Sequence, residues 1–222
     1  MGIVNRDKIS TNLFRLYENQ RMSSFLQRGG ELYIAIEKKP VTLINELYQA
    51  GHRHFSEKYV QGAGYQFLLK KDTTDLRLNL YGHLQRNKAK KAVKRFGCVE
   101  SVGSVRLASH LLSCMNNSEE GNLKEILVQV NQGKEPQKSG VLPEDAQYLI
   151  DQCIDMGLPL VGLMTIPPKG QNPIPFFKEL RSLADRNNLE HCQMGMSEDW
   201  ETAIRFGSTR IRLGRALFNS GF

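Results

Sequence analysis

Cysteine is scarce in this 222-residue sequence, which contains Cys98, Cys114, Cys153 and Cys192. The four lie far apart and form no C-x-x-C pair, so neither a zinc-finger spacing nor a disulfide-rich secreted domain is indicated. The five histidines have no cysteine or carboxylate partner at ligand spacing. We therefore expect no metal site and a reducing compartment, the cytoplasm.

Long apolar runs are also lacking. No stretch approaches the roughly 18 to 20 apolar residues of a membrane-spanning helix, and the first ten residues, MGIVNRDKIS, contain no apolar signal core. Contact with a membrane is therefore not expected. Linkers, repeats and low-complexity segments are absent too, which predicts one domain over residues 1–222 with a helical flank over residues 1–30.

Charge is in moderate positive excess, since 30 Lys and Arg against 23 Asp and Glu give a net charge of +7. The most basic segment is HLQRNKAKKAVKR, over residues 83–95. Its charges are spread around a predicted helix, and no aromatic side chains are interleaved for stacking on bases. A solvated surface is thus favoured over a nucleic-acid interface.

The chain does contain a regular alternation of β-like and helical segments after a polar amino-terminal helix within residues 3–28. Predicted strands lie at residues 32–36, 52–55, 76–81, 98–101, 125–130, 160–164, 191–195 and 209–213. Predicted helices lie at residues 41–50, 58–70, 84–95, 103–115, 143–156, 174–188 and 198–206, with a short one after residue 214. Eight β/α units over about 200 residues favour an α/β fold of the (β/α)8 TIM-barrel type over an open sheet.

Strand periodicity predicts which side chains enter the barrel, because successive residues of a strand point to opposite faces. The inward set is Tyr33, Ala35, Glu37, Arg77, Asn79, Tyr81, Leu127, Gln129, Asn131 and Arg212. Polar groups would thus converge at the carboxyl ends of the strands, where sites in this architecture lie.

The stretch MGMSEDWETAIRFGSTRIRLGRALF, over residues 194–218, predicts a phosphate site at that end. Ser197 is suited to cap the helix after the seventh strand, and Gly214 forms the turn after the eighth. A recurrent phosphate site of (β/α)8 barrels is built from these two loops. An inward Arg212 supports the prediction of a phosphate site, since a buried guanidinium needs an anionic or hydrogen-bonding partner.

Several motifs resemble those of the pyridoxal phosphate homeostasis proteins, single-domain relatives of the alanine racemase barrel that hold pyridoxal 5′-phosphate (PLP). They are KP at 39–40, AGHRHFSEKYVQ at 50–61, GHLQRNK at 82–88, SVGSVRLA at 101–108, QVNQGKEPQKSG at 129–140, GLMTIPP at 162–168, GMSEDWETAI at 195–204 and STRIRLG at 208–214. The resemblance extends from about residue 32 to residue 218.

The resemblance implies residue roles in a PLP site. Ser197, with Met196 beside it, and the backbone of Gly214 and Arg215 would hold the phosphate. Arg212 would face the pyridine nitrogen and keep it unprotonated, which weakens the ring as an electron sink.

Three departures from the family pattern concern the aldehyde side. The lysine that forms the Schiff base in the family is Glu37 here, and a carboxylate cannot form an imine. The family's Gly-Glu-Asn after the second strand is Ser-Glu-Lys, which places Lys58 where asparagine is usual, and a strand-three histidine is Asn79.

Two hypotheses follow from these departures. Either Lys58 bonds the aldehyde from the neighbouring strand, or Lys58 pairs with Glu37 and a phosphorylated ligand is held without a covalent bond. Lys38 points the other way and is a weaker candidate. We favour the non-covalent alternative, because a lysine beside a carboxylate has a raised pKa and is a poorer nucleophile.

The resemblance implies a non-catalytic carrier or buffer of PLP in intracellular B6 vitamer and amino-acid homeostasis, and a monomer is expected. Racemase activity is disfavoured, since the sequence ends shortly after the last short helix and lacks the second domain of alanine racemase. The alternative is a diverged member that no longer binds PLP and acts as an interaction module or binds RNA or nucleotides.

Overall fold

The computed structural model describes residues 6–62 and 75–218, with side chains from residue 10 onward. Eight strands in this part of the chain close a parallel barrel in sequence order, with the first paired to the last. The strands are β1 (Glu31–Ala35), β2 (His54–Glu57), β3 (Arg77–Leu80), β4 (Cys98–Val102), β5 (Glu125–Gln129), β6 (Leu160–Met164), β7 (His191–Gln193) and β8 (Arg210–Leu213). The predicted α/β class and (β/α)8 barrel are confirmed.

Helices surround the barrel. Those within the described ranges are α1 (Arg6–Glu18), α2 (Gln20–Gln27), α3 (Val41–Gln49), α4 (Ala89–Arg95), α5 (Val105–Asn116), α6 (Pro143–Asp155), α7 (Ile174–Arg186), α8 (Trp200–Arg205) and α9 (Arg215–Phe218), with a 3-10 turn at Arg86–Lys88. Most of the helix predicted at 58–70 lies outside the described residues. None of the helices described is long and apolar enough to cross a membrane.

Apolar side chains on the outer face of the strands bind the helices to the barrel. On one side Leu16, Met22 and Phe25 of α1 and α2 pack with Leu32 of β1 and Ile211 of β8. The amino-terminal helices thereby cover the strand pair that closes the barrel. Their burial is driven by removal of apolar surface from water, about 25 cal/mol for each Å².

The amino-terminal segment is two helices, where the sequence pattern predicted one. The chain bends at Asn19, whose Oδ1 accepts hydrogen bonds from the backbone N–H groups of Arg21 (3.0 Å) and Met22 (3.2 Å). These bonds satisfy donors at the start of α2. A local capping bond therefore overrides the continuous apolar spacing.

Strand β2 begins two residues later than predicted, because His52 belongs to the preceding turn. Its Nδ1 accepts from the Tyr17 hydroxyl (2.6 Å), and its Nε2 donates to the carbonyl of His54 (2.6 Å). At the other end, Glu57 Oε1 accepts from the Lys58 backbone N–H (2.9 Å). The strand runs on through Ser56 and Glu57 because these residues pair with Asn79 and Leu80 of β3.

Acidification is expected to weaken the fold through His52. Burial lowers the pKa of this imidazole to about 3, whereas an unfolded histidine titrates near 6.5. Between these values the unfolded chain binds the proton and the folded chain does not. The contribution of His52 to the free energy of unfolding is therefore fully present above about pH 6.5 and decreases as the pH falls. The slope approaches about 1.4 kcal/mol per pH unit.

Urea unfolding of the wild type and of His52→Gln between about pH 7 and 4 measures this contribution. The variant should lose part of the pH slope, while His110→Gln, at an exposed position of α5, should keep it. Equal slopes in the wild type and His52→Gln would show that His52 is not the titrating group.

Charged side chains fill the amino-terminal end of the barrel. Arg210, which is 0% exposed, donates through Nε to Glu31 (2.6 Å) and through Nη2 to Glu125 (2.8 Å). Arg77 donates to the other oxygen of Glu31 (2.9 Å). Cys98, Leu127 and Met164 form a separate buried apolar cluster.

Candidate functional site

Two loops meet at the carboxyl end of the barrel, one after β7 and one after β8. The first turns at Gly195, whose φ is +101° and where an added Cβ would lie 2.6 Å from the Cβ of Ala203. Glycine is required there, because a side chain would meet both backbone strain and a clash. The close packing directs Met196 and Ser197 toward the loop after β8.

Ser197 joins these two loops. Its Oγ accepts the backbone N–H of Ala216 (3.0 Å), in the first turn of α9. The predicted role of Ser197 as a helix N-cap is wrong: α8 begins at Trp200, and its N-cap is Asp199. Asp199 Oδ1 accepts the Met196 N–H (2.7 Å) and closes the loop. The Ser197 hydroxyl is therefore placed between loops, with its hydrogen free to reach an anion.

Arg215 and Gly214 complete this side of the site. The guanidinium of Arg215 pairs with Glu198 (2.8 Å), at the exposed rim. The carbonyl of Gly214 accepts from Leu217 (3.1 Å) and Phe218 (3.2 Å). First-turn N–H groups of a helix have no partner within it, so backbone donors of Gly214 and Arg215 lie beside the Ser197 hydroxyl.

Arg212 is buried just below these loops and has an internal carboxylate partner. Its Nη1 donates to Glu100 Oε2 (2.5 Å), and Glu100 Oε1 accepts from Asn79 Nδ2 (2.8 Å). Glu100 is 0% exposed, Asn79 2% and Arg212 5%. The anionic partner that a buried guanidinium requires is thus provided by the protein, and it need not be a ligand.

Glu100 is the main residue of this site that the sequence pattern did not identify. It lies at the centre of the apolar segment CVESV. A carboxylate within a short apolar strand indicates a buried ion pair, since charged side chains in a barrel strand are buried only when paired. Its partners lie on β3 and β8 and are distant in sequence, so the signal alone did not name them.

Tyr81, which follows β3, contacts both Arg212 and Glu37. The guanidinium lies over its ring, 4.1 Å from the centroid, and its hydroxyl donates to Glu37 Oε2. Burial, followed by the hydrogen bond to Glu37, raises the pKa of the Tyr81 phenol well above its ordinary value. The phenol therefore stays protonated, and Glu37 is the acceptor.

Lys58 does not pair with Glu37, contrary to the hypothesis from sequence. It is exposed, and its Nζ lies 5.8 Å from the centroid of the Tyr59 ring. Among the described side chains, no salt bridge reaches Glu37. Lys38 is exposed too, with a φ of +58°. Asn79 is buried and bonded to Glu100, so Glu37, Lys58 and Asn79 do not form one surface.

Other predicted groups have structural partners. Asn131 Nδ2 donates to the carbonyl of Glu135 (2.9 Å) and stabilises its own loop. Lys90, Lys91 and Lys94 of the basic segment are exposed on or beside one helix, α4. Over residues 6–62 and 75–218, no group of three or more His, Cys, Asp or Glu side chains is arranged to hold a metal ion.

The architecture is shared with solved proteins. PipY from Synechococcus elongatus, solved without PLP, superposes with a TM-score of 0.83 at 31% identity, covering 95% of this chain and 99% of that one. The same protein with PLP bound gives a TM-score of 0.80 at 30% identity. Alanine racemase from Clostridium difficile has a TM-score of 0.75 at 13% identity, which shows a common fold alone.

Sequence comparison gives the family. No family model matches the chain. The pyridoxal phosphate homeostasis protein of Aquifex aeolicus is 32% identical over 216 residues, which cover 90% of this chain and 93% of that protein. The protein of the same name from Pseudomonas aeruginosa is 36% identical over 199 residues, covering 84% and 83%. With this identity along nearly the whole barrel, the chain belongs to the pyridoxal phosphate homeostasis protein family.

Proposed function

We propose that this protein binds PLP without a covalent bond and acts as a non-catalytic carrier or buffer in intracellular B6 vitamer and amino-acid homeostasis, in the cytoplasm and as a monomer. The observation that carries the proposal is the junction of Ser197 with Ala216, in the loop whose Gly195 carbonyl accepts from the Arg212 backbone N–H (3.1 Å). Family membership and the PLP-bound relative support it.

The residues present fit the phosphate and the ring of PLP. The Ser197 hydroxyl and the backbone N–H groups of Gly214 and Arg215 provide donors for the phosphate, and Met196 is fixed in the same loop. Arg212 would contact the ring nitrogen. Glu100 holds the Arg212 guanidinium in place, so this group would donate a hydrogen bond to the nitrogen and would not protonate it. Bound PLP supplies an electron-withdrawing ring and an aldehyde.

The aldehyde side does not fit covalent attachment. Glu37 has no amine, and Lys58 is exposed with its Nζ near Tyr59. Groups that would move a proton are also engaged, since Tyr81 donates to Glu37 and Glu100 is bonded to both Arg212 and Asn79. These contacts favour holding a ligand over transforming it.

PLP titration followed by borohydride reduction tests the proposal. We expect saturable binding by absorbance and, after reduction and peptide mapping, no labelled lysine. Ser197→Ala should weaken binding about tenfold, because a hydrogen bond to a charged phosphate is lost. Ser109→Ala, at an exposed position of α5, is the matched control and should bind like the wild type.

Each other outcome has a definite meaning. A stable adduct on Lys58 or Lys38 would disprove the non-covalent mode. An absence of PLP binding, together with a salt-dependent shift of RNA, would instead support the diverged interaction module. Binding unchanged by Ser197→Ala would remove Ser197 from the phosphate site.

A further inference from the structure

Glu37 presents an uncompensated negative charge to the opening of the barrel. It follows β1, which pairs with β8 in a register that places Tyr33 opposite Arg212. Its side chain is half-buried. One oxygen, Oε2, accepts the Tyr81 hydroxyl, while no described residue donates to Oε1. A carboxylate in this setting has lost part of its hydration without gaining a cation.

The neighbouring cations have other partners. Arg212 is bonded to Glu100 and stacked on Tyr81. Lys39 Nζ lies over the Phe218 ring, 4.1 Å from its centroid, and Lys58 lies toward Tyr59. Within the described ranges, no lysine or arginine forms a salt bridge with Glu37. Among the described side chains, the Glu37 carboxyl group is therefore bonded only to the neutral Tyr81 phenol.

We infer that Glu37 selects a phosphorylated pyridine ligand that carries a primary ammonium group, pyridoxamine 5′-phosphate, over the aldehyde PLP. The inference rests on the proposed function, since the phosphate side made by Ser197, Gly214 and Arg215 holds either ligand. An ammonium group supplies the cation and the N–H donors that Glu37 lacks. The oxygen of an aldehyde carries partial negative charge and has no donor, so it would face the carboxylate unfavourably.

Tyr81 makes this selection directional. Its hydroxyl bond orients the Glu37 carboxylate, and its ring is fixed beneath the Arg212 guanidinium. The Glu37 carboxylate is thus fixed after β1, the strand that neighbours β8 and the Gly214 loop. A ligand that meets both Glu37 and Ser197 needs an anionic and a cationic substituent on neighbouring positions of its ring, and pyridoxamine 5′-phosphate has this arrangement.

Calorimetric titration with three ligands tests the inference. Pyridoxamine 5′-phosphate, PLP and pyridoxine 5′-phosphate share the phosphate and the ring and differ in the amine, aldehyde or hydroxyl group. The wild type should bind the amine about tenfold or more tightly than the other two, as expected for a charged hydrogen bond. Glu37→Gln, which keeps the shape and removes the charge, should abolish this preference while retaining binding of pyridoxine 5′-phosphate.

Controls separate this inference from the proposed function. Glu120→Gln, at an exposed loop position, should retain the wild-type preference. If none of the three ligands binds the wild type, the proposed function fails. Selection by Glu37 is refuted if all three ligands bind but the wild type prefers PLP. It is also refuted if Glu37→Gln leaves the ratio of affinities unchanged. In both cases the proposed phosphate site is not contradicted. The three wild-type affinities give this answer even if the variant does not fold.

Discussion

Substitution of Glu37 by lysine is expected to produce a protein that binds PLP covalently, whereas the wild type is proposed to form no adduct. The new amine would lie beside Tyr81, in the half-buried position that the Glu37 side chain occupies in the wild type. Partial burial and the nearby Arg212 charge both disfavour an ammonium ion, so more of this lysine is in the reactive amine form. The structural change required is small, because one side chain replaces another of similar length.

Borohydride reduction and peptide mapping measure this gain. At equal concentrations of PLP and protein, Glu37→Lys should carry the reduced label at residue 37, and the wild type should carry none. Glu120→Lys adds a lysine on the exposed surface and controls for non-specific adducts. Label on Lys58 in both proteins would show that the position of Glu37 is not the aldehyde side.

Replacement of Arg210 by methionine is expected to destabilise the barrel by about 3–5 kcal/mol, the cost of removing one partner from a buried ion pair. Arg210 is bonded to Glu31 and Glu125 in the interior. Burial raises the pKa of Glu31, but nearby charges led by Arg210 outweigh it, so its pKa lies below the ordinary value. Without Arg210, the effect of burial on the pKa of Glu31 would dominate and raise it.

Denaturant unfolding at several pH values measures the Arg210 contribution. In the wild type, the stability due to Glu31 is present above the unfolded carboxyl pKa and is lost as the pH falls through its lower folded pKa. In the variant the Glu31 carboxyl is protonated more readily. The loss of stability of the variant relative to the wild type should therefore become smaller as the pH falls. Arg205→Met, at an exposed position of α8, should change stability by less than about 0.5 kcal/mol. A similarly small effect of Arg210→Met would contradict the assigned role.

The barrel and the composition of its opening could be predicted because their signals are local. Alternating side chains assign Arg212, Asn79 and Tyr81 to the interior whatever their partners are. Helix ends were harder to predict, since Asn19 and Asp199 offer caps that compete with the apolar spacing and with Ser197. Capping depends on which side-chain oxygen meets a free N–H, and several nearby residues were suitable.

Partner choice within the site could not be predicted. Opposite charge suggested that Glu37 would pair with Lys58, whereas the structure brings the Tyr81 hydroxyl to Glu37 and leaves Lys58 exposed. Arg212 in turn bonds to Glu100, which is 112 residues away in the chain. Such pairs depend on strand register and on which side chains the barrel buries together, and neither quantity is contained in spacing along one strand.

By itself, the sequence determined the number and order of β/α units and the inward residues, because these follow from chain periodicity and residue identity. The tertiary structure alone decided that Ser197 joins two loops, that Glu100 pairs with Arg212, and that Glu37 accepts from Tyr81 and forms no salt bridge with any described side chain. The reason is physical: a contact between distant residues exists only after the closed barrel has fixed their separation, orientation and burial.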